Sequence, residues 1–229
     1  MTHRSTVSRA FLVAMHYAVC AANANGNELP RLEPVEMLVN AAAQGDLASV
    51  RRQLTAGTDP NAASKSLNLA LPLVQAAANG HGAVVLALLQ SGAIIDARDG
   101  RGQRALVVAA YHGRLETCRQ LLAAGARVAI APMHADELTL LEASVMSGNV
   151  AVVELLLGEG AHLTRTDRRD RNALVIAVRM GHEKIVATLL NGAVKQADDA
   201  DRDLLLLARD EAAQASRSGI LSLIDQRMK

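Results

Sequence analysis

The sequence predicts an all-α solenoid of stacked helix-turn-helix units joined by short hairpin-like connections. Three observations predict it. A glycine recurs at Gly45, Gly80, Gly113, Gly148 and Gly181, at separations that alternate between 35 and 33 residues; self-similarity at a period of that size marks a repeat architecture. A second series, Gly57, Gly92, Gly125, Gly160 and Gly192, follows the first at twelve residues, one fewer in the last pair. The composition is 50% hydrophobic but only 1% aromatic. A mix of Ala, Leu and Val suits close-packed helices, whereas strands favour aromatic and β-branched residues.

Residues 1–24, MTHRSTVSRAFLVAMHYAVCAANA, start with Arg4 and Arg9, continue through an apolar stretch from Ala10 to Ala22, and end on Ala22-Asn23-Ala24. A basic start, an apolar middle and a small-x-small site form the pattern of a secretory signal peptide. His16 and Tyr17 interrupt the apolar run, and the alternative is an amphipathic helix capping the first repeat. Removal of the leader takes Phe11 and Tyr17 with it and leaves Tyr111 as the one aromatic residue. Residues 25–34, with Pro30 and Pro34, read as a flexible lead-in.

Five repeats follow over 35–196, at about 35–66, 67–98, 99–132, 133–166 and 167–196. Seven residues before each first glycine stands a leucine: Leu38, Leu73, Leu106, Leu141 and Leu174. Three residues later comes Ala41, Ala76, Ala109, Ser144 or Ala177. Residues three apart share a helix face, and a small side chain lets a neighbouring helix approach. Val84, Val85, Leu88 and Leu89 give a second helix its apolar face. Val152, Val153, Leu156 and Leu157 repeat that face, as do Ile185, Val186, Leu189 and Leu190. The glycines fall where each helix is expected to stop in a left-handed conformation. Residues 197–229 lack the glycine frame but hold two apolar clusters, Leu204 to Leu207 and Ile220 to Ile224. They read as a degenerate capping helix pair, since terminal units of a solenoid need a polar outer face.

This frame resembles the ankyrin repeat. The segments that carry the resemblance are GHGAVVLALLQSGAIIDARD at 80–99, GNVAVVELLLGEGAHL at 148–163 and GHEKIVATLL at 181–190, with Arg98-Asp99-Gly100-Arg101-Gly102 resembling the family's turn. The family opens its first helix with Thr-Pro-Leu-His. Here those positions read Leu71-Pro72-Leu73-Val74, Arg104-Ala105-Leu106-Val107, Thr139-Leu140-Leu141-Glu142 and Asn172-Ala173-Leu174-Val175. Hydrogen bonding of the Thr–His kind is therefore expected to be largely absent, and burial of Val74, Val107 and Val175 offsets part of the loss.

Chemistry is sparse. The histidines do not converge, and His81 and His182 stand where the repeat pattern itself carries His. A zinc site wants three or four ligands. Cys118 sits in an apolar helix as a small core residue. No nucleophile elbow, phosphate loop or dinucleotide fingerprint occurs. The expectation is a non-enzyme with no cofactor and no metal. A net charge of +1 and the scarcity of aromatics argue against nucleic acid, and no apolar run is long enough to span a membrane.

The resemblance implies a concave binding surface made of hairpin tips and the exposed ends of the first helices. On that surface the two residues before each first glycine should project. Tyr111, His112, Met146, Arg179 and Met180 occupy those places in the last three repeats, and Tyr, Met and Arg are types enriched at interfaces. The tips add Arg101, Arg104, Asp136, Glu137, Arg168, Arg169 and Arg171. The function expected is binding of another protein, by an exported, periplasmic adaptor, inhibitor or immunity-type protein of bacterial origin, monomeric on its own. The alternative is an intracellular, cytoplasmic structural or chaperone-like subunit.

Overall fold

The computed structural model describes residues 33–129, 138–161, 172–192 and 199–228. The chain divides into Met1–Glu33 and Pro34–Lys229. The leader expected over 1–24 lies outside the described residues. So do Asp136, Glu137, Arg168, Arg169 and Arg171.

Among the described residues there are twelve α-helices and no β-strand. They come in pairs: α1 (Pro34–Gln44) and α2 (Leu47–Thr55), α3 (Pro72–Asn79) and α4 (Gly82–Gln90), α5 (Ala105–Tyr111) and α6 (Leu115–Ala123). These are followed by α7 (Leu140–Met146) and α8 (Val150–Gly158), α9 (Ala173–Met180) and α10 (Glu183–Gly192), and α11 (Asp199–Gln214) and α12 (Ser218–Arg227). Pro34, which the sequence places in the lead-in, opens α1; a first helical position suits proline because its missing N–H has no intrahelical partner there.

The pairs stack in two layers, α1-α3-α5-α7-α9-α11 and α2-α4-α6-α8-α10-α12, each helix against the next of its layer. The leucine seam runs between them. Leu38, Leu73, Leu106, Leu141 and Leu174 are 0, 3, 1, 3 and 0% exposed and belong to one continuous core. Each contributes about 1.5–3 kcal/mol by burial. Ala41, Ala76, Ala109 and Ala177 are buried beside them. Ser144 takes the same place in the fourth repeat, where its hydroxyl donates to the Leu141 carbonyl at 2.7 Å.

Gly45 shows why the frame needs glycine. Its φ is +76°, and an added Cβ would lie 2.6 Å from the His81 ring. The other glycines of both series share the positive φ except Gly192. Gly192 is the last residue of α10, so the expected left-handed stop is not found there. The second glycine of that repeat comes one residue early and falls inside the helix.

His81 begins a set of bonds that tie four of the units to the one before. His81 Nε2 donates to the Ala43 carbonyl at 3.1 Å. Arg114 Nε donates to Ala78 at 3.1 Å, Asn149 Nδ2 to Gly113 at 3.1 Å, and Arg217 to the Arg179 carbonyl at 2.9 Å. In the fourth and fifth units the helix caps also depart from the family's opening motif. Thr139 and Glu142 form a reciprocal capping box, and Asn172 accepts from Val175 N–H at 2.8 Å. Leu71 and Arg104 make no side-chain cap.

The last pair continues both layers. Leu204, Leu205, Ala208, Ala212, Ile220 and Ile224 are buried. Arg209 pairs with Asp225 at 2.7 Å across the two helices.

Candidate functional site

Each first helix ends on a left-handed glycine, so the two residues before it are carried past the buried Leu/Ala face. In the first two units these are small or polar: Ala43 and Ala78 are half-buried, Gln44 and Asn79 exposed. The third unit changes character. Tyr111 is 41% exposed at the end of α5, and its ring stands edge-to-face with that of His112, centroids 5.2 Å apart at 88°. Met146 is half-buried at the end of α7, beside a Ser147 whose hydroxyl donates to the Ser144 carbonyl at 2.6 Å. Met180 is 45% exposed at the end of α9. Because α5, α7 and α9 are consecutive in one layer, their ends make a row, which carries Tyr111 and Met146 two residues before their glycines and Met180 one residue before its own.

Arg179 lies in the same row but is engaged. Its guanidinium donates to both carboxylate oxygens of Glu211, at 2.9 and 3.1 Å, so it ties α9 to α11.

The tip residues divide. The 98–104 turn is shaped by Asp99, whose Oδ1 accepts from the N–H groups of Arg101 and Gln103, each at 2.9 Å. It leaves Arg101 exposed. Arg104 is a correction: it is 3% exposed and does not project. Its guanidinium lies 3.5 Å from Asp96 and donates to the Arg127 carbonyl at 3.1 Å. Arg127 Nε meets the other Asp96 oxygen at 2.8 Å. A nearly dry guanidinium requires a carboxylate beside it, and the sequence gives no sign that Asp96, eight residues earlier, reaches Arg104.

The sequence also missed Leu69, which is 48% exposed at the neighbouring tip with φ +56°. Its carbonyl accepts from Gly100 N–H at 3.0 Å, so the two tips abut. A non-glycine residue held left-handed carries no pattern signal.

No three His, Cys, Asp or Glu side chains among the described residues come together in a way that could hold a metal ion. Cys118 is fully buried, and desolvation pushes its thiol up to about 12, which keeps it neutral and unreactive. No helix among the described residues is long and apolar enough to cross a membrane.

A two-layer stack of helix pairs with variable side chains at the first-helix ends is a repeat-built binding scaffold. The chain belongs to the ankyrin-repeat family: the family model for ankyrin repeats (3 copies) matches residues 38–132 and 129–199. Such repeats are protein–protein interaction modules. The chain is similar to the transient receptor potential cation channel subfamily A member 1 homolog of Caenorhabditis elegans, 33% identical over 115 residues, 50% of this chain and 9% of that protein. It is similar to the E3 ubiquitin-protein ligase XBAT33 of Arabidopsis thaliana, 28% identical over 158 residues, 69% of this chain and 31% of that one. The chain thus spans less than a third of either relative. The ankyrin repeat domain of human ASB11 has the same fold, with a TM-score of 0.70 at 23% identity over 84% of this chain and 83% of that one.

Proposed function

We propose that this chain holds a partner protein against the first-helix ends of its third to fifth repeats, with Tyr111 as the anchor. The observation that carries the reading is the row of Tyr111, Met146 and Met180 on consecutive helices, with Tyr111 41% exposed and braced by His112. A rigid aromatic side chain flanked by methionines supplies contact area at small entropic cost. Arg101, exposed on the 98–104 turn, is the described tip residue available to the same partner.

A photo-crosslinking amino acid at position 111 identifies the partner in the native compartment. Tyr111→Ala then lowers affinity for that partner about 30-fold, the equivalent of about 2 kcal/mol. Unchanged affinity with unchanged helical circular dichroism would refute the anchor.

The role we assign is that of an exported adaptor, inhibitor or immunity-type protein. Its support is the leader pattern of residues 1–24, with Arg4 and Arg9 before the apolar stretch and Ala22-Asn23-Ala24 after it. Mass spectrometry of the mature protein tests this: a start near Asn25 supports export. A start at Met1 favours the intracellular subunit, the reading to which His16 and Tyr17 within the apolar stretch lend support.

A further inference from the structure

The second-helix face of the first three repeats carries a feature for which the first-helix row gives no account. Six residues after each first glycine stand Arg51, Leu86, Arg119, Glu154 and Ala187. The first four of these are exposed. Because α2, α4 and α6 stack in one layer, Arg51, Leu86 and Arg119 form a row with one helix spacing, about 8–10 Å, between neighbours. Leu86 is 41% exposed there. Among the described residues neither flanking arginine is ion-paired.

The connections after the second helices add a second exposed apolar side chain, here between an acid and an arginine. Two residues past the second glycine stand Asp59, Ile94 and Arg127. Ile94 is 61% exposed, the largest exposure of any big apolar side chain described. Its amide is fixed by Asn61 Oδ1 at 2.7 Å, so the side chain is held out. Arg127 beside it has a side chain 72% exposed. The second repeat therefore presents Leu86 and Ile94 to solvent, Leu86 with Arg51 and Arg119 on either side and Ile94 with Asp59 on one side and Arg127 on the other.

We propose that this face binds an acidic amphipathic helix of a partner protein, whose apolar side chains cover Leu86 and Ile94 and whose carboxylates meet Arg51 and Arg119. The charge selects the occupant. Guanidinium forks match carboxylates, and a helix delivers apolar anchors three and four residues apart with acids on both sides. An anionic membrane is the poorer fit. Only two apolar side chains would insert, too few to hold the chain at a bilayer surface. The site lies on the other layer from Tyr111 and stands or falls independently of the first-helix row.

The probe is a synthetic peptide of about five helical turns, with leucines at i, i+3 and i+7 and glutamates elsewhere. It is compared by fluorescence anisotropy with the same peptide carrying lysines, on the full chain. The glutamate peptide binds and the lysine peptide does not. Leu86→Ser weakens binding roughly fivefold, as does Ile94→Ser. Arg51→Glu with Arg119→Glu reverses the preference, and Tyr111→Ala leaves it unchanged. Equal binding of both peptides, unchanged affinity in both serine variants, or binding to phosphatidylserine vesicles in place of the peptide overturns the proposal.

Discussion

Two glycines separate what a backbone angle costs from what a crowded neighbour costs. Gly45 and Gly57 both have positive φ, +76° and +88°. An added Cβ meets the His81 ring at Gly45 and nothing within 4 Å at Gly57. Gly57→Ala then carries only the left-handed strain, about 1–2 kcal/mol. Gly45→Ala adds displacement of the imidazole and loss of its bond to the Ala43 carbonyl, roughly another 1 kcal/mol. Urea denaturation followed by circular dichroism gives the two values; equal losses would mean that the His81 contact contributes nothing. Cys118 yields a second residue-scale prediction. With its thiol fully buried and raised to about 12, it stays unmodified by a maleimide in the folded protein at neutral pH and reacts within the unfolding transition. Mass spectrometry across a urea series reads this directly.

Between elements, Asp96 is the side chain on which most converges. It receives Arg104 from the start of α5 and Arg127 from the connection after α6, and is itself 11% exposed. Asp96→Ala takes a carboxylate away from the buried Arg104 guanidinium and from Arg127, a loss of up to about 3–5 kcal/mol. Asp96→Asn keeps an acceptor and loses less. Calorimetry of the two variants ranks them, and a small loss in the alanine variant would place Arg104 in water. This network also marks how far the sequence could be read. The leucine seam was legible because every repeat states it in the same letter at the same spacing. The row Tyr111, Met146, Met180 was legible because the glycines locate it. Arg104 was not: charged residues near turns read as surface, and its neutralising partner acts through space. The bonds between units were illegible for another reason, since His81, Arg114, Asn149 and Arg217 perform one task with three side-chain chemistries.

For the molecule as a whole, stability is a chain of neighbour terms, to which the pair α11 and α12 adds one. Ending the chain after residue 196 would remove α11 and α12 and uncover the apolar sides of α9 and α10, together with the Arg179–Glu211 pair. The shortened protein is expected to lose helical signal at lower urea than the full chain and to self-associate, both measurable by circular dichroism and light scattering; an unchanged midpoint would show that the terminal pair is dispensable. The direction of the bonds between units has a consequence for synthesis. The side chains of His81, Arg114, Asn149 and Arg217 all reach back toward the N-terminus, so each of the four carbonyls they meet is satisfied by a unit made later. As the polypeptide leaves the ribosome, the helix pairs that offer these carbonyls are locked only once the next pair has emerged. The locking order follows translation, and Arg217 sets its latch after the other three.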